Sequence, residues 1–280
     1  MKTTKRQWSV AMFIIVSLGA LVMIYPLAWM VASSFKPELL IFRDKSLLIR
    51  EFTVEHYIRG WLGVGGITFP HYLFNTLKIV VPVVLGTLLS CSMVGYAVAR
   101  LDFKLKGIVY ILIFGTLMLP VHSTLIPRYI MFKNFGWINT YLPLIVPSFL
   151  AVQGFFCYLF IQFMRSIPNE LDKAATIDGC GPIMIYFRII APLSVSAFFT
   201  AALFSFIWTY DDFFSQLVFI SNPRSFTISL MLRQYTEALE MSAFGVLFAM
   251  STISLIPIFI LFVSFQKYLI EGISTTGLKG

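Results

Sequence analysis

The chain contains six long windows without a single Asp, Glu, Lys or Arg. They cover residues 7–35, 79–99, 107–127, 134–164, 189–210 and 242–266. A charged side chain at the centre of a bilayer costs roughly 2.5–3.5 kcal/mol, and a helical span needs about 20 apolar residues. Barrel strands of about ten alternating residues do not match windows this long and continuously apolar. The windows therefore predict six membrane-spanning helices.

The composition agrees with this prediction. Hydrophobic residues make up 58% of the 280 residues and charged residues only 12%, so a water-soluble globule would lack polar surface. The same composition excludes a disordered chain or a nucleic-acid-binding arm, and it makes the lipid bilayer the expected environment. We predict an all-α polytopic membrane protein with one transmembrane domain over residues 1–280. Its spans are expected at about 10–35, 79–99, 107–130, 142–164, 189–210 and 243–265.

Six spans place both termini on the same side of the membrane. Compact basic groups at 2–6 and 100–106 lie on that side, and the positive-inside rule therefore favours cytoplasmic termini. The long loop at 36–78 on the other side also carries six basic residues, so the preference comes only from the compact groups. In this orientation the loop 165–188 is cytoplasmic.

Ionisable residues inside spans mark membrane enzymes and ion-coupled carriers, since such groups move protons or bind ions. Of carboxylates, histidines and arginines the charge-free windows contain one, His122, which either bonds to a neighbouring helix or lines a translocation path. The three cysteines lack the spacing of a metal or redox pair. We therefore predict no catalytic residue, no metal site and no cofactor in this chain.

A second candidate for the translocation path lies at the far end of the fifth window. Trp208, Asp211 and Asp212 have the i, i+3, i+4 spacing of residues on one helix face. An aromatic ring beside carboxylates suits a sugar, because the ring packs on the C–H face and the carboxylates accept hydroxyl hydrogen bonds. The alternative is an aromatic anchor at the membrane interface, beside ordinary interfacial acids.

The loop 165–188 predicts two short helices. Glu170 and Asp172 favour the positive N-terminal end of the first helix, Gly179 can end it with a positive φ, and Pro182 can begin the second. Ala174, Ile177 and Asp178 share one face of the first helix.

A small apolar face of this kind would let another protein approach the backbone closely. The alternative is a connecting hairpin that packs only on its own helix bundle. Both interpretations remain open from the residues of the loop alone.

Two runs of this region, 174–179 and 186–193, read Ala-Ala-Thr-Ile-Asp-Gly and Tyr-Phe-Arg-Ile-Ile-Ala-Pro-Leu. They closely resemble the EAA loop of permease subunits of binding-protein-dependent ABC importers. Further segments resemble the maltose-type, carbohydrate-importing branch of that family, at 119–127, 136–141, 167–171, 208–213 and 265–280. The likeness covers nearly the whole chain.

The resemblance implies a set of residues that couple the chain to an ATPase. These are Glu170, Asp172, Lys173, Ala174, Ala175, Asp178 and Gly179. Lys173 stands where the family has Glu, Cys180 where it has Ala, and Ser196 where it has Pro. The reversed charge at Lys173 would remove any salt bridge that the family Glu makes to the ATPase; Asp172 or Glu170 could substitute, or the ATPase could carry a matching acid.

The resemblance also implies the fold and the partners. We expect the type I ABC importer transmembrane fold, in a bacterial cytoplasmic membrane, as half of a heterodimer with a second homologous permease. The chain has no Gly-x-x-x-x-Gly-Lys loop, so two separate ATPase subunits would bind ATP and Mg²⁺. An extracytoplasmic solute-binding protein would deliver a small carbohydrate, and the loop at 221–241 would reach towards it.

Three other functions compete with sugar import. A permease for another solute, such as a polyamine or phosphate, would keep the EAA loop but lack the carbohydrate-type segments. A self-contained carrier would need charge inside its spans, and a membrane enzyme would need a polar cluster near one interface.

Overall fold

The computed structural model describes residues 2–237 and 244–277, except for the side chains of 2–11, 121–122, 237 and 268–277. The α-helices in chain order are α1 Lys2–Ser33, α2 Glu38–Ile41, α3 Glu55–Leu62, α4 Phe69–Arg100, α5 Lys106–Met118, α6 Leu125–Asn134, α7 Leu142–Ile145, α8 Gly154–Ser166, α9 Glu170–Ile177, α10 Pro182–Ile185, α11 Ala191–Leu193, α12 Val195–Tyr210, α13 Phe214–Phe219, α14 Ile228–Glu237 and α15 Phe244–Gly277. Short 3-10 segments lie at Val121–Thr124, Val146–Leu150 and Pro223–Ser225. In the described part of the chain, β pairing is limited to one bridge between Val64 and Ile67.

Six apolar helical segments correspond to the six predicted windows. Four are long and apolar enough to cross a membrane, namely Met12–Ser33, Phe69–Arg100, Leu142–Ser166 and Phe244–Lys267. A fifth is a pair of helices, Pro182–Leu193 and Val195–Tyr210, bent by 77°. The sixth, Lys106–Met118, has 13 residues and is shorter than a full span. The prediction of a multi-pass, all-α membrane protein is confirmed, and the predicted number of spans is confirmed in outline.

The second span begins earlier than the charge-free window predicts. Its helix α4 starts at Phe69, not near residue 79, and it runs for 32 residues. At 1.5 Å per residue this is about 48 Å, which exceeds a hydrocarbon layer of about 30 Å. Lys78 therefore lies within the helix, with its ammonium 4.5 Å from the centre of the Phe74 ring. The charged residue that bounds the window therefore indicates where the apolar part of the span begins, while the helix itself begins earlier.

Prolines interrupt the third and fifth spans. The predicted span 107–130 is wrong as a continuous helix, because α5 ends at Met118 and Leu119 is extended with ψ 124°. Pro120 causes this, since a proline disfavours helical backbone at the preceding residue. The fifth span bends at Ser194, after Pro192 and a π-helical turn at 186–190.

The chain divides into two compact units. The first contains residues 1–71 and 231–256, and the second contains residues 72–230 and 257–280. In the second unit, α4 and α8 approach closely at Gly95, where an added Cβ would lie 2.5 Å from the Cβ of Phe160. A glycine is needed there because any side chain would separate the two helices. Around this contact, Cys91, Cys157 and Ile161 belong to a continuous apolar core.

The first unit is organised around aromatic contacts and one buried lysine. Trp29 packs edge-on against Phe248, with ring centres 5.5 Å apart. Lys36 is buried, and its ammonium donates to the carbonyl oxygens of Asp44 at 2.8 Å and Ser46 at 2.6 Å. These bonds compensate for the burial of the charge and hold the loop that follows the first span.

Candidate functional site

The segment 165–188 forms the predicted pair of short helices. Helix α9 covers Glu170–Ile177, and Gly179 directly after its cap has φ +82°. The next helix, α10, begins at Pro182. The local signals of a proline, an acidic first turn and a glycine stop were sufficient to predict this geometry.

One face of α9 is exposed and the other is buried. Ala174, Ile177 and Asp178 are exposed, and 86% of the Ile177 surface is accessible. Glu170, Lys173 and Gly179 are exposed as well, so the predicted shared face is available to a partner. Ala175 points the other way and is buried in the core of the second unit. Its small side chain lets α9 lie close to that core.

Arg100, the last residue of α4, holds the start of this segment. Its guanidinium Nη2 donates to the carbonyl oxygen of Ile167 at 2.6 Å, and Nη1 donates to the side-chain oxygen of Asn169. Nη1 also lies 3.4 Å from Oδ2 of Asp172. The Arg100 side chain is only 2% exposed, so these charged groups meet where water is scarce. Asp172 is therefore engaged within the chain, whereas Glu170 faces outward.

Two tyrosines connect the other half of the segment to the same helix. The hydroxyl of Tyr96 donates to the carbonyl oxygen of Pro182 at 2.9 Å. The hydroxyls of Ser92 and Tyr186 share a hydrogen bond of 2.6 Å. Ser92, Tyr96 and Arg100 are four residues apart in sequence and so lie along one face of α4. A displacement of the 165–188 segment would therefore act directly on this helix.

The second unit also contains a concave cavity of about 760 Å³. Its walls come from α4, α5 and α6, the stretch 144–156, and the region where α12 leads into α13. Among the described residues that line it, Arg128 is the one base and Asp212 the one acid. Uncharged polar side chains also face it, including Thr116, Ser148, Gln153, Ser205, Thr209 and Ser215.

Trp208 forms an aromatic wall of this cavity. Its ring lies 5.0 Å from the ring of Phe155, 5.2 Å from Phe156 and 5.9 Å from Phe204, measured between centres. About half of the residue stays accessible, with 49% of its surface exposed. The phenylalanines hold the indole in place while one part of it faces open space.

The two aspartates next to this tryptophan have different surroundings. The predicted common helix face is wrong, because α12 ends at Tyr210 and Asp211 is the residue that caps it. Asp212 lines the cavity, and its Oδ1 accepts a hydrogen bond from the backbone N–H of Ser215 at 3.0 Å. Asp211 is absent from the lining and exposed, although the protein atoms around it partly desolvate its carboxylate and so raise its pKa above the ordinary value. The chain turns here towards α13, which separates the two neighbouring carboxylates.

Residues 91–275 match a sequence profile of the family described as "Binding-protein-dependent transport system inner membrane component". The chain belongs to this family. It is a permease subunit of an ABC importer, a multi-pass membrane protein and a transport subunit rather than an enzyme. Membership implies that the permease works with a solute-binding protein, an ATPase and a partner permease.

Curated relatives are similar along almost the full length of the permease. A probable ABC transporter permease protein of Bacillus subtilis, YurM, is 32% identical over 99% of this chain and 91% of its own. The trehalose/maltose transport system permease protein MalG of Thermococcus litoralis is 32% identical, with 94% of each chain covered. The arabinooligosaccharides permease AraQ of Halalkalibacterium halodurans is 30% identical, with 93% of each chain covered.

The fold is also found in a solved importer. The crystal structure of a bacterial ABC transporter involved in the import of the acidic polysaccharide alginate contains a chain that superposes with a TM-score of 0.81. The alignment covers 95% of the permease and 97% of that chain, at 19% identity. The likeness therefore shows a shared importer fold and confirms the predicted fold class.

Sequence reasoning found some residues of the cavity and missed others. Trp208 and Asp212 do line it. The backbone of His122 lies in the 3-10 segment before α6, but its side chain is outside the described residues, so its role stays a prediction. Arg128 was missed because it comes directly after the charge-free window 107–127. Its position only just beyond an apolar window was the available signal.

Proposed function

We propose that this permease forms half of the translocation path for a sugar or oligosaccharide, in a heterodimer with a second, homologous permease. An extracytoplasmic binding protein delivers the sugar, and two separate ATPase subunits bind and hydrolyse ATP with Mg²⁺. Relatives named for trehalose and maltose, arabinooligosaccharides and galactooligosaccharides support this proposal. Each of those three alignments covers more than nine-tenths of this chain and of its relative.

The proposed orientation places both termini and the 165–188 segment in the cytoplasm of a bacterial cell, below its inner membrane. Arg100 is the last residue of α4, which holds the segment, and the basic residues Lys104 and Lys106 follow shortly after it. Arg165 lies in the last turn of α8. Positive charge at span ends favours the cytoplasmic side.

The observation that carries the proposal is the exposed face of α9, held against the end of a span. Glu170, Lys173, Ala174, Asp178 and Gly179 form the surface offered to an ATPase. Asp172 and Ala175 instead position the helix, one through Arg100 and one through the core. Closure of the ATPase pair would push on α9. Ser92, Tyr96 and Arg100 would transmit that push to α4, because all three belong to one rigid helix.

The experiment that tests coupling uses the complete transporter in proteoliposomes. Ala174→Trp adds a bulky ring to the docking face, and Asp178→Lys reverses a charge there. Both residues are exposed, so the permease should fold and reach the membrane normally. We expect sugar uptake per ATP hydrolysed to fall at least tenfold.

Two conservative variants at the same positions serve as controls. Ala174→Ser and Asp178→Asn change size and charge much less, and we expect uptake within about twofold of the unmodified transporter. Normal coupled uptake by both Ala174→Trp and Asp178→Lys would contradict docking through α9.

The identity of the cargo needs a separate measurement. The transporter should be purified in mild detergent with its binding protein, which is then screened against neutral sugars, acidic sugars, polyamines and phosphate. We expect a mono- or oligosaccharide to bind and to stimulate ATP hydrolysis. Stimulation by a polyamine or phosphate alone would leave the importer intact and overturn sugar as its cargo.

A further inference from the structure

Arg128 and Asp212 are opposite charges that share a cavity without joining. They line the same concave space, and Asp212 is near enough to attract the guanidinium electrostatically. Within the described part of the chain, Arg128 makes no ion pair shorter than 4.0 Å. Its guanidinium instead lies 5.9 Å from the centre of the buried Phe219 ring. The two charged groups therefore line one cavity, as a donor and an acceptor, without forming an ion pair with each other.

Gln153 adds a second available donor to the same wall. Its side-chain oxygen accepts a hydrogen bond from the hydroxyl of Thr87 at 3.4 Å. Among the described residues nothing accepts from its amide NH₂ group, and Gln153 lines the cavity. An amide whose oxygen is already bonded has a fixed orientation, so its N–H groups present a defined direction to a ligand.

The aromatic wall completes the chemistry that a sugar ring requires. Trp208 offers an accessible apolar surface, held by Phe155 and Phe156. A cavity of about 760 Å³ falls within the range of about 300–1,000 Å³ typical of small-molecule sites. A planar guanidinium, a carboxylate and an oriented amide can bond ring oxygens and hydroxyls around the edge of the sugar.

We propose that this cavity binds one unit of a neutral saccharide, so that the permease itself contacts the cargo. Arg128 and Gln153 donate to the sugar oxygens, Asp212 accepts from hydroxyls, and Trp208 packs on the C–H face. The proposal rests on the proposed sugar transport. It adds the site at which the sugar binds and the expectation that this sugar is uncharged. Asp212 excludes acidic sugars, because a carboxylate close enough to Arg128 would also face this aspartate.

An acyl chain is the competing occupant in a membrane protein. It would gain nothing from Arg128, Asp212 or Gln153, and it would cover charged groups without bonding them. A saccharide satisfies those groups and still uses the aromatic wall. The observations therefore favour the sugar.

The test measures equilibrium binding to the transporter in lipid nanodiscs, with both permeases and the ATPases present and the binding protein washed away. The probes are maltotriose, arabinotriose and galactotriose as neutral trisaccharides, and trigalacturonate as an acidic one. We expect at least one neutral probe to bind and trigalacturonate to bind at least tenfold more weakly. Arg128→Gln, Trp208→Ala and Asp212→Asn should each weaken neutral binding at least tenfold.

Matched controls exist beside each altered residue. Lys133 lies on the same helix as Arg128 and is exposed, and Asp211 is the neighbour of Asp212, but neither lines the cavity. Lys133→Gln and Asp211→Asn should bind the neutral probe within twofold of the unmodified transporter. Trp208→Phe keeps an aromatic surface and should weaken binding of the neutral probe less than Trp208→Ala. Basal ATP hydrolysis and elution as a monodisperse complex verify that each variant is folded.

Several outcomes would overturn the proposal. They are unchanged neutral binding in both Arg128→Gln and Asp212→Asn, equal or tighter binding of trigalacturonate, or no binding of any probe. Sugar-stimulated ATP hydrolysis by the complete transporter distinguishes failure of the proposed binding site from failure of the proposed cargo. If a neutral sugar stimulates hydrolysis while the cavity variants behave normally, only the binding site is wrong. If no sugar stimulates hydrolysis, the proposed cargo is wrong.

Discussion

Two segments of the permease are each held by a single charged side chain, but in opposite ways. Arg100 belongs to the end of a span and holds the connecting segment that follows α8. Glu38 is the first residue of the short helix α2, in the connection that follows the first span, and it holds the beginning of α15. Its two carboxylate oxygens accept from the backbone N–H groups of Phe244 and Gly245, each at 2.9 Å. In the first case a span positions a loop, and in the second a loop positions a span.

The partners of the two charges differ in kind. Arg100 faces the carboxylate of Asp172, and both Nε of Arg100 and Oδ1 of Asp172 are buried without a hydrogen bond. Glu38 faces the first N–H groups of a helix, which carry only partial positive charge. Loss of Arg100 would leave a full charge unpaired, whereas loss of Glu38 would leave backbone N–H groups unbonded and remove a carboxylate that lies 4.0 Å from Nδ1 of His56. Replacing Arg100 should therefore destabilise the permease more than replacing Glu38.

Replacing Arg100 is expected to have the largest effect. Arg100→Met preserves much of the side-chain volume but leaves Asp172 without its cation. Breaking a buried pair in this way costs about 3 kcal/mol, at the low end of the usual range because Asp172 is partly exposed. We expect a lower unfolding temperature in detergent and a loss of coupled uptake, with the ATPase subunits still bound.

A surface ion pair two residues further along is the control for this variant. Asp102 is fully exposed and lies 3.3 Å from the ammonium of Lys106. Asp102→Asn should change neither the unfolding temperature nor uptake, because exposed pairs contribute little. The anchoring role of Arg100 would be refuted by a normal unfolding temperature and normal coupling in Arg100→Met.

Two glycines in the first unit offer the next test, because each faces a different neighbour. A Cβ added at Gly245 would lie 2.3 Å from the ring of His56, which is buried and hydrogen-bonded to the carbonyl oxygen of Lys36 at 2.9 Å. A Cβ added at Gly60 would instead meet the side chain of Met250, at 2.6 Å. Methionine is flexible and can move, whereas the imidazole is held in place.

Gly245→Ala should therefore destabilise the permease by about 2 kcal/mol through overpacking against His56. Gly60→Ala should be close to neutral, because helix propensity improves as Met250 adjusts. Thermal unfolding of both variants in the same detergent decides the matter. Equal unfolding temperatures would show that His56 does not brace the start of α15.

The coupling segment illustrates what could be predicted from sequence. The bounds of α9 follow from signals within a few residues, namely the acidic first turn and Gly179. Its anchor could not be predicted, because Arg100 lies 69 residues before Asn169 and no local pattern connects them. Arg100 was interpreted as a positive charge at a span end, which is correct but incomplete.

The cavity shows the same limit for a different reason. Trp208 and Asp212 were identified from their residue types, yet the helix ends before Asp212, so regular spacing did not describe their geometry. Arg128 reaches the cavity on α6, a helix that exists separately only because Pro120 interrupts the preceding span. Proline positions signal such interruptions, but not the direction that the chain takes afterwards.

Removal of Glu38 should have a smaller effect than either change above. Glu38→Ala leaves the N–H groups of Phe244 and Gly245 without their acceptor, at a cost of about 1.5 kcal/mol. Glu38→Gln keeps one side-chain oxygen as an acceptor and should lose about half as much. The control is Glu55→Ala, since Glu55 is exposed and pairs with Arg59 only at 4.0 Å. If Glu38→Ala and Glu55→Ala unfold at the same temperature, Glu38 does not cap the start of α15.

The smallest effect is expected just after α9. Two glycines there are equally uncrowded but differ in backbone conformation, so a comparison of the two measures backbone strain alone. Gly179 has φ +82° and Gly181 has φ −77°, and neither has an atom within 4 Å of an added Cβ. Gly179→Ala should cost about 1 kcal/mol, because a side chain disfavours the left-handed backbone, whereas Gly181→Ala should cost almost nothing. The cost falls on the segment that meets the ATPase, so coupled uptake should fall severalfold while the unfolding temperature falls by only about 2–4 °C. Equal uptake by the two variants would show that the turn after α9 tolerates a side chain, and that Arg100 and the two tyrosines alone define the position of the docking face.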